Sequence, residues 1–181
     1  FCRDVTIERT FEHQIWISAN TDALTGLYNR RFFYEYMNEN RKENQLSLLY
    51  VDLDDFKKVN DAHGHHIGDG ALELVARLMR EAFPGDFIVR LGGDEFLICL
   101  VGERSLAFLE EKANRLLQSL LGAFQASDYL RVMSASIGIA SSADPGTKLD
   151  DLVRQSDIAM YAAKQSGKSR CCVYSSGLIK K

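Results

Sequence analysis

Little in this chain breaks the backbone or links it covalently. Two prolines in 181 residues leave long uninterrupted stretches for helices and strands. The four cysteines, Cys2, Cys99, Cys171 and Cys172, form no C-x-x-C pair, which argues against a zinc or disulfide framework and for reduced thiols in a cytoplasmic protein. No apolar run approaches the ~18 residues of a membrane span. A net charge of −3 gives no general attraction to nucleic acid or to an anionic membrane, so neither is expected as a partner. An anionic substrate would have to be held by a metal or by a few local basic side chains. The chain starts at Phe1 without a methionine or a signal-peptide pattern, and it is expected to be a fragment of a longer protein.

What is present is ordinary for a soluble domain: 46% hydrophobic and 26% charged residues, enough to bury a core. Residues 4–19 carry Ile7, Phe11 and Ile15 at helical spacing. They predict an amphipathic helix that either packs on its own domain or joins a partner chain as a coiled-coil connector. A second helix is expected from about Asn29 to Glu43. LSLLYVD, ending at Asp52, reads as a buried strand. DDFKKVND starts another helical turn, and HGHHIGDG reads as a glycine-rich loop. The stretch GDGALELVARLMREAF has Leu72, Val75, Leu78 and Met79 on one side of a helix that Pro84-Gly85 ends. Two strands flank RLGGDEF. After them come a helix over roughly 105–123, a strand in RVMSASIGIASS, a helix running to Gly167 and a short strand in RCCVYS. This order indicates an α/β sandwich on a mixed sheet.

Acidic residues gather at strand ends or in loops next to them: Asp52 with Asp54 and Asp55, Asp61 with Asp69, and Asp94 with Glu95. Asp54 or Asp55 could cap the following helix, and Asp69 the helix that follows it. Asp52 ends an apolar strand, where a carboxylate needs a partner to offset its desolvation. A second acid on a neighbouring hairpin, such as Asp94, would make a place for a hard divalent cation carried with nucleotide phosphates. Gly92-Gly93 suits a tight hairpin turn and also admits a ligand close to the backbone. His63, His65 and His66 match no structural zinc spacing.

The motifs DALTGLYNRR, VDLDDFKKVND, GHHIGD, RLGGDEF and SDIAMYAAKQSGK together resemble the GGDEF family of diguanylate cyclases, in the family's order and over about Thr21 to Tyr174. The resemblance implies a linker helix over 1–20, a catalytic domain over 21–175 and a tail over 176–181. It also implies a central mixed five-stranded sheet flanked by helices, like that of nucleotide cyclases and polymerase palms. The implied reaction condenses two GTP into cyclic di-GMP, with Mg²⁺ or Mn²⁺, in a homodimer whose domains face each other. Asp52, the carbonyl of Leu53, Asp94 and Glu95 would hold the metal. Asp94 and Glu95 would be catalytic, Asp94 being linked to deprotonation of the attacking 3′-hydroxyl. Gly92 and Gly93 would lie against the triphosphate, and Asn60 and Asp69 would recognise guanine. His65 would lie near the nucleotide, and Phe56 and Lys57 would line the phosphate region. Lys164 and Lys168 would reach phosphates, Lys168 standing where the family often has an arginine with its bidentate fork.

One departure falls on the family's R-x-x-D product-inhibition site, which here reads Phe83-Pro84-Gly85-Asp86. With Phe83 for the arginine, tight feedback inhibition is expected to be lost. RDVTIER, Arg3 to Arg9, resembles the exit segment of a PAS sensor, implying such a domain upstream. Two other functions compete: a catalytically silent nucleotide receptor, and a cyclase that uses ATP in part. Asp69 argues against the latter, because its carboxylate matches guanine N1–H and N2–H₂ donors that adenine lacks.

Overall fold

The computed structural model describes residues 2–142 and 144–178, with side chains from residue 5 onward. Residues 179–181 of the expected tail, and the side chains of Cys2, Arg3 and Asp4, lie outside the described part. Six helices and six strands follow in the order α1 (Cys2–Asn20), β1 (Tyr28–Asn29), α2 (Arg30–Asn40), β2 (Leu46–Asp54), α3 (Phe56–His63), α4 (His65–Ala82), β3 (Phe87–Gly92), β4 (Glu95–Val101), α5 (Leu106–Ala126), β5 (Ser134–Ser141), α6 (Leu149–Gln165) and β6 (Arg170–Val173). No helix among the described residues is long and apolar enough to cross a membrane.

The strands form one mixed sheet in the order β1-β3-β4-β2-β5-β6. The four central strands pair antiparallel, and β1 and β6 add parallel edges. The five strands expected from the sequence are joined by β1, which is two residues long and too short to leave a periodic signal.

The unbroken apolar run of β2 reflects burial on both faces. Leu49, Val51 and Leu53 enter a core built with α3, α4 and α5. Leu46, Leu48 and Tyr50 face the opposite layer, where Phe33 and Met37 of α2 meet Leu149, Leu152, Val153 and Met160 of α6. The predicted stripe of Leu72, Val75, Leu78 and Met79 is buried as expected. Burying each such side chain contributes about 1.5–3 kcal/mol, so the sheet forms a stiff platform for whatever its ends carry.

α6 approaches this platform unusually closely at Gly138. A Cβ there would lie 2.0 Å from the carbonyl oxygen of Ser156 and 2.2 Å from the amide nitrogen of Met160. Only a glycine lets the helix backbone rest on β5 at this point.

Two expectations are corrected. HGHHIGDG is not a loop: it becomes the first turns of α4 from His65, after Gly64 at φ 89°. A short break between α3 and α4 suffices, because Gly64 takes the one conformation that other residues avoid. The signature turn is also shifted. Gly92 pairs with Glu95, so Gly93 and Asp94 occupy the two-residue turn, and a bulge falls between Arg90 and Gly92.

Candidate active site

β2 and β4 are neighbours in antiparallel register, and Asp52 lies directly across from Glu95. The amide of Leu53 donates to the carbonyl of Asp94 at 3.1 Å. The sequence suggests Asp94 as the partner of Asp52; the ladder sets Glu95 directly across from it, with Asp94 one residue away in the turn. Gly92 and Gly93 sit at φ 147° and 51°, exposed, with nothing within 4 Å of a would-be Cβ at either. Their surroundings are open to a ligand.

The turn is braced from beside. Arg90 donates through Nε and Nη2 to the carbonyl of Gly93 at 3.1 and 2.8 Å, and through Nη1 to Asp22 at 3.1–3.2 Å. Asp22 also accepts from the amide and hydroxyl of Thr25. Burial works against ionisation of Asp22, but these hydrogen bonds and the Arg90 charge together hold its carboxyl below the usual range. DALT and RLGGDEF, distant in sequence, therefore form one unit.

Asp54 occupies the centre of a second network. Neither Asp54 nor Asp55 makes a side-chain cap on α3: Asp55 sits at its N-cap position in a left-handed conformation without a capping hydrogen bond. The Asp54 side chain is fully buried. It accepts from the hydroxyls of Ser134 and Ser136 at 2.7 and 2.8 Å, and from Lys164 Nζ and the amide of Ser169 at 3.2 Å. Such saturation is what a buried carboxylate requires. Lys164 also reaches Asp52 at 3.4 Å. Burial opposes the lysine charge, but Asp52 and Asp54 outweigh it and hold the ammonium above the ordinary lysine range.

Asp52 is in the opposite situation. Burial, then the nearby charge of Asp94, push its carboxyl up to about 7, with Lys164 pulling the other way. Two acids and a buried aspartate crowd together with one ammonium between Asp52 and Asp54. Among the described residues, no three acidic, histidine or cysteine side chains are close enough to cage a metal by themselves. The donor set nevertheless fits a hard divalent cation, which takes one or two carboxylates and completes its shell with substrate phosphates. A cation would relieve the repulsion between Asp52 and Asp94 that adds to burial in raising the Asp52 carboxyl.

The remaining expected site residues spread around this centre. Lys168 reaches Asp55 at 3.3 Å and stays half-exposed. Lys57 is exposed and pairs with Asp61 one turn along α3. His65 and Asp69 are exposed on the first turns of α4. Asp69 lies inside the helix, so the capping reading fails for it too. Asn60 packs against α4 where Gly68 leaves room: a Cβ at Gly68 would fall 1.8 Å from Asn60 Oδ1 and 3.3 Å from the Phe56 ring. Asn60 Oδ1 is buried without a hydrogen-bond partner. Away from the centre, Phe83 is buried, and the Lys112 ammonium lies 4.7 Å over its ring. Asp86 is half-buried; burial raises its carboxyl while Arg104 and Lys112 pull it down.

Sequence reasoning read Asp54 only as a helix cap and passed over Arg90, Gly68 and Gly138. Asp54 had a usable signal, because i and i+2 on a strand share a face with Asp52. So did Gly138, a lone glycine inside a strand.

Comparison with known proteins agrees with this geometry. A sequence model described as the GGDEF domain of diguanylate cyclases matches residues 19–170. The chain is 38% identical over 175 residues to the cyclic di-GMP phosphodiesterase PdeR of Escherichia coli, covering 94% of this chain and 26% of that protein. It is 32% identical over 180 residues to a diguanylate cyclase of Vibrio cholerae, covering 94% of this chain and 54% of that one. The crystallised coiled coil and GGDEF domain of DgcB from Caulobacter crescentus, in complex with c-di-GMP, superimposes with a TM-score of 0.82 at 27% identity. That match covers 94% of this chain and 95% of the other. The chain thus spans between about a quarter and a half of the two curated relatives' lengths.

Proposed function

Because the chain belongs to the GGDEF family of diguanylate cyclases, we propose that it condenses two GTP molecules into cyclic di-GMP and releases two pyrophosphates. The observation that carries this reading is the register placing Asp52 against Glu95, with the Asp94 turn docked on Leu53. The phosphodiesterase PdeR of Escherichia coli extends far beyond the region it shares with this chain. The intact acid pair here favours synthesis.

In this reading the 3′-oxygen of one GTP forms a bond to the α-phosphorus of the other. The bond from that phosphorus to the pyrophosphate oxygen breaks, and Asp94 takes up the hydroxyl proton. Asp52, the carbonyl of Leu53, Asp94 and Glu95 would hold Mg²⁺ or Mn²⁺, which polarises the phosphate and eases deprotonation of the hydroxyl. Lys164 and Lys168 bind phosphate oxygens at one edge, while Gly92 and Gly93 let the triphosphate lie on the turn. Asn60 and Asp69 read guanine. The unpartnered Oδ1 of Asn60 leaves its carboxamide unsatisfied at about 1–3 kcal/mol, which a turn of the amide onto the base relieves. Each domain holds one GTP, so catalysis requires two copies facing each other. Phe83, turned into the core, leaves the product-inhibition position without a phosphate-gripping group, and feedback is weak. A PAS-like sensor upstream and a cytoplasmic setting complete the proposal.

The alternative is a receptor that binds GTP without turnover. Incubation with GTP and Mg²⁺, and with GTP plus ATP, followed by chromatography, separates the readings. Cyclic di-GMP alone is expected, and Asp94→Asn abolishes it. Binding without product, even when two copies are fused to dimerise, would overturn the cyclase; a mixed dinucleotide would overturn the guanine assignment.

A further inference from the structure

Tyr50 has a hydroxyl that core packing does not explain. The residue is 7% exposed and belongs to the cluster of Leu48, Leu97 and Met160 in the layer between the sheet and α6. A phenylalanine would fill that space equally well. Yet the hydroxyl donates to Glu95 Oε2 at 2.9 Å, and among the described residues no other hydrogen bond is made to the Glu95 carboxylate.

The sheet arranges this contact. Tyr50 and Asp52 are two apart on β2 and share a face. Tyr50 pairs with Leu97 on one side and with Gly138 on the other. Glu95 is two residues from Leu97, which makes it the diagonal neighbour of Tyr50, within reach of an aromatic side chain. Gly138 offers no side chain beside the ring. A glutamate at the mouth of a glycine turn would otherwise sample several rotamers, a freedom costing up to about 2 kcal/mol to remove. The phenol occupies one carboxylate oxygen and leaves the other directed by that bond.

We propose that Tyr50 is a positioning residue for Glu95. Its hydroxyl fixes the carboxylate in one rotamer, so that a single oxygen is presented towards Asp52 and Asp94 for the divalent cation of the reaction. This rests on the cyclase reading for the role of Glu95; the contact itself does not. The mutual support is of the kind second-sphere partners give to metal-binding carboxylates.

Tyr50→Phe removes only the hydroxyl and keeps the ring. It is expected to raise the half-saturating Mg²⁺ concentration for cyclic di-GMP formation about tenfold, while KM for GTP at saturating Mg²⁺ and the melting temperature stay as in the wild type. Mn²⁺ binding, followed by electron paramagnetic resonance with a GTP analogue that cannot release pyrophosphate, should weaken by about the same factor. On a Glu95→Gln background the Tyr50→Phe change should add little, a coupling that a purely structural role would not produce. If the wild type forms no cyclic di-GMP, the cyclase reading fails and the Mn²⁺ measurement still decides the role of Tyr50. Unchanged Mn²⁺ affinity in Tyr50→Phe, or equal losses with and without Glu95, would overturn the proposal.

Discussion

α1 and α6 are similar in length, 19 and 17 residues, and both repeat apolar side chains at helical spacing, yet the fold treats them oppositely. α6 lays Leu149, Leu152, Val153 and Met160 into the core and rests its backbone on Gly138. From that seat it delivers Lys164 between Asp52 and Asp54. α1 leaves Ile7, Phe11 and Ile15 at 63%, 65% and 57% exposure, and its described contacts with the domain lie at its C-terminal end, where Trp16 is edge-on against Phe32 and Asn29 and Arg31 donate to the carbonyl of Ala19. A shared sequence pattern therefore marks two different things: a helix fixed by its sheet, and a helix whose apolar face is unpartnered in one copy. The first reading offered for α1, packing on its own domain, does not account for those side chains.

The strongest way to break this contrast is to unseat α6. Gly138→Val places carbon where the Ser156 carbonyl and Met160 amide now lie, and backbone atoms cannot rotate away as a side chain can. Overpacking of this kind costs about 1–3 kcal/mol or more. Melting temperature should fall clearly, and cyclic di-GMP formation should be lost because Lys164 moves with the helix. A variant that melts and turns over like the wild type would show that the close approach is unimportant.

The charged seam between α6 and β2 should also respond to pH. The Asp52 carboxyl holds its proton to about pH 7 in the fold, against 3.8 without the fold's influence. Between those values the folded protein binds more protons than the unfolded chain. Stability should therefore be greatest at the acid side of that window and decline as pH rises towards 7. Thermal melts in chelator should show this slope, and Mg²⁺ with a GTP analogue should flatten it. A melt that rises with pH across the window would contradict the assignment.

Within α6 and the turn after it, the two lysines sharpen the contrast between buried and exposed charge. Lys164→Met leaves Asp52 and Asp54 without their ammonium and should destabilise by about 2 kcal/mol. Lys168→Met breaks only a half-exposed pair with Asp55 and should change stability by less than about 0.5 kcal/mol. Both should weaken GTP binding, read by titration calorimetry. Equal losses of stability would mean that the Asp54 network does not hold α6 in place.

How much of this was readable beforehand follows from how local each signal is. The two-sided burial of β2, the stripe on α4 and the acids of the signature all lie in short contiguous segments, and they stand where expected. The break at Gly64 was hidden because HGHHIGDG has a loop's composition, and one positive-φ glycine turned most of it into helix. The Asp54 network draws on β2, β5, α6 and the turn before β6, so no window of sequence contains it. Arg90 is similar: its partner Asp22 lies in a loop that sequence shows only as a polar turn. Tyr50 looked like core because its ring is core; only the strand register gives its hydroxyl a partner.

The smallest effect is expected where the contrast began. Phe11→Ala removes a side chain that is 65% exposed, so dilute protein should lose no more than about 0.5 kcal/mol. The apolar face acts, in this account, only when a second helix covers it. Product formation at low protein concentration should then fall in Phe11→Ala and recover as concentration is raised, because association is driven by mass action. Melting temperature measured across the same range separates the cases. A concentration-dependent rise in the wild type that Phe11→Ala abolishes supports a face that pairs between copies. A large loss of stability in dilute Phe11→Ala would mean instead that α1 packs on its own domain, and the difference drawn between the two helices would disappear.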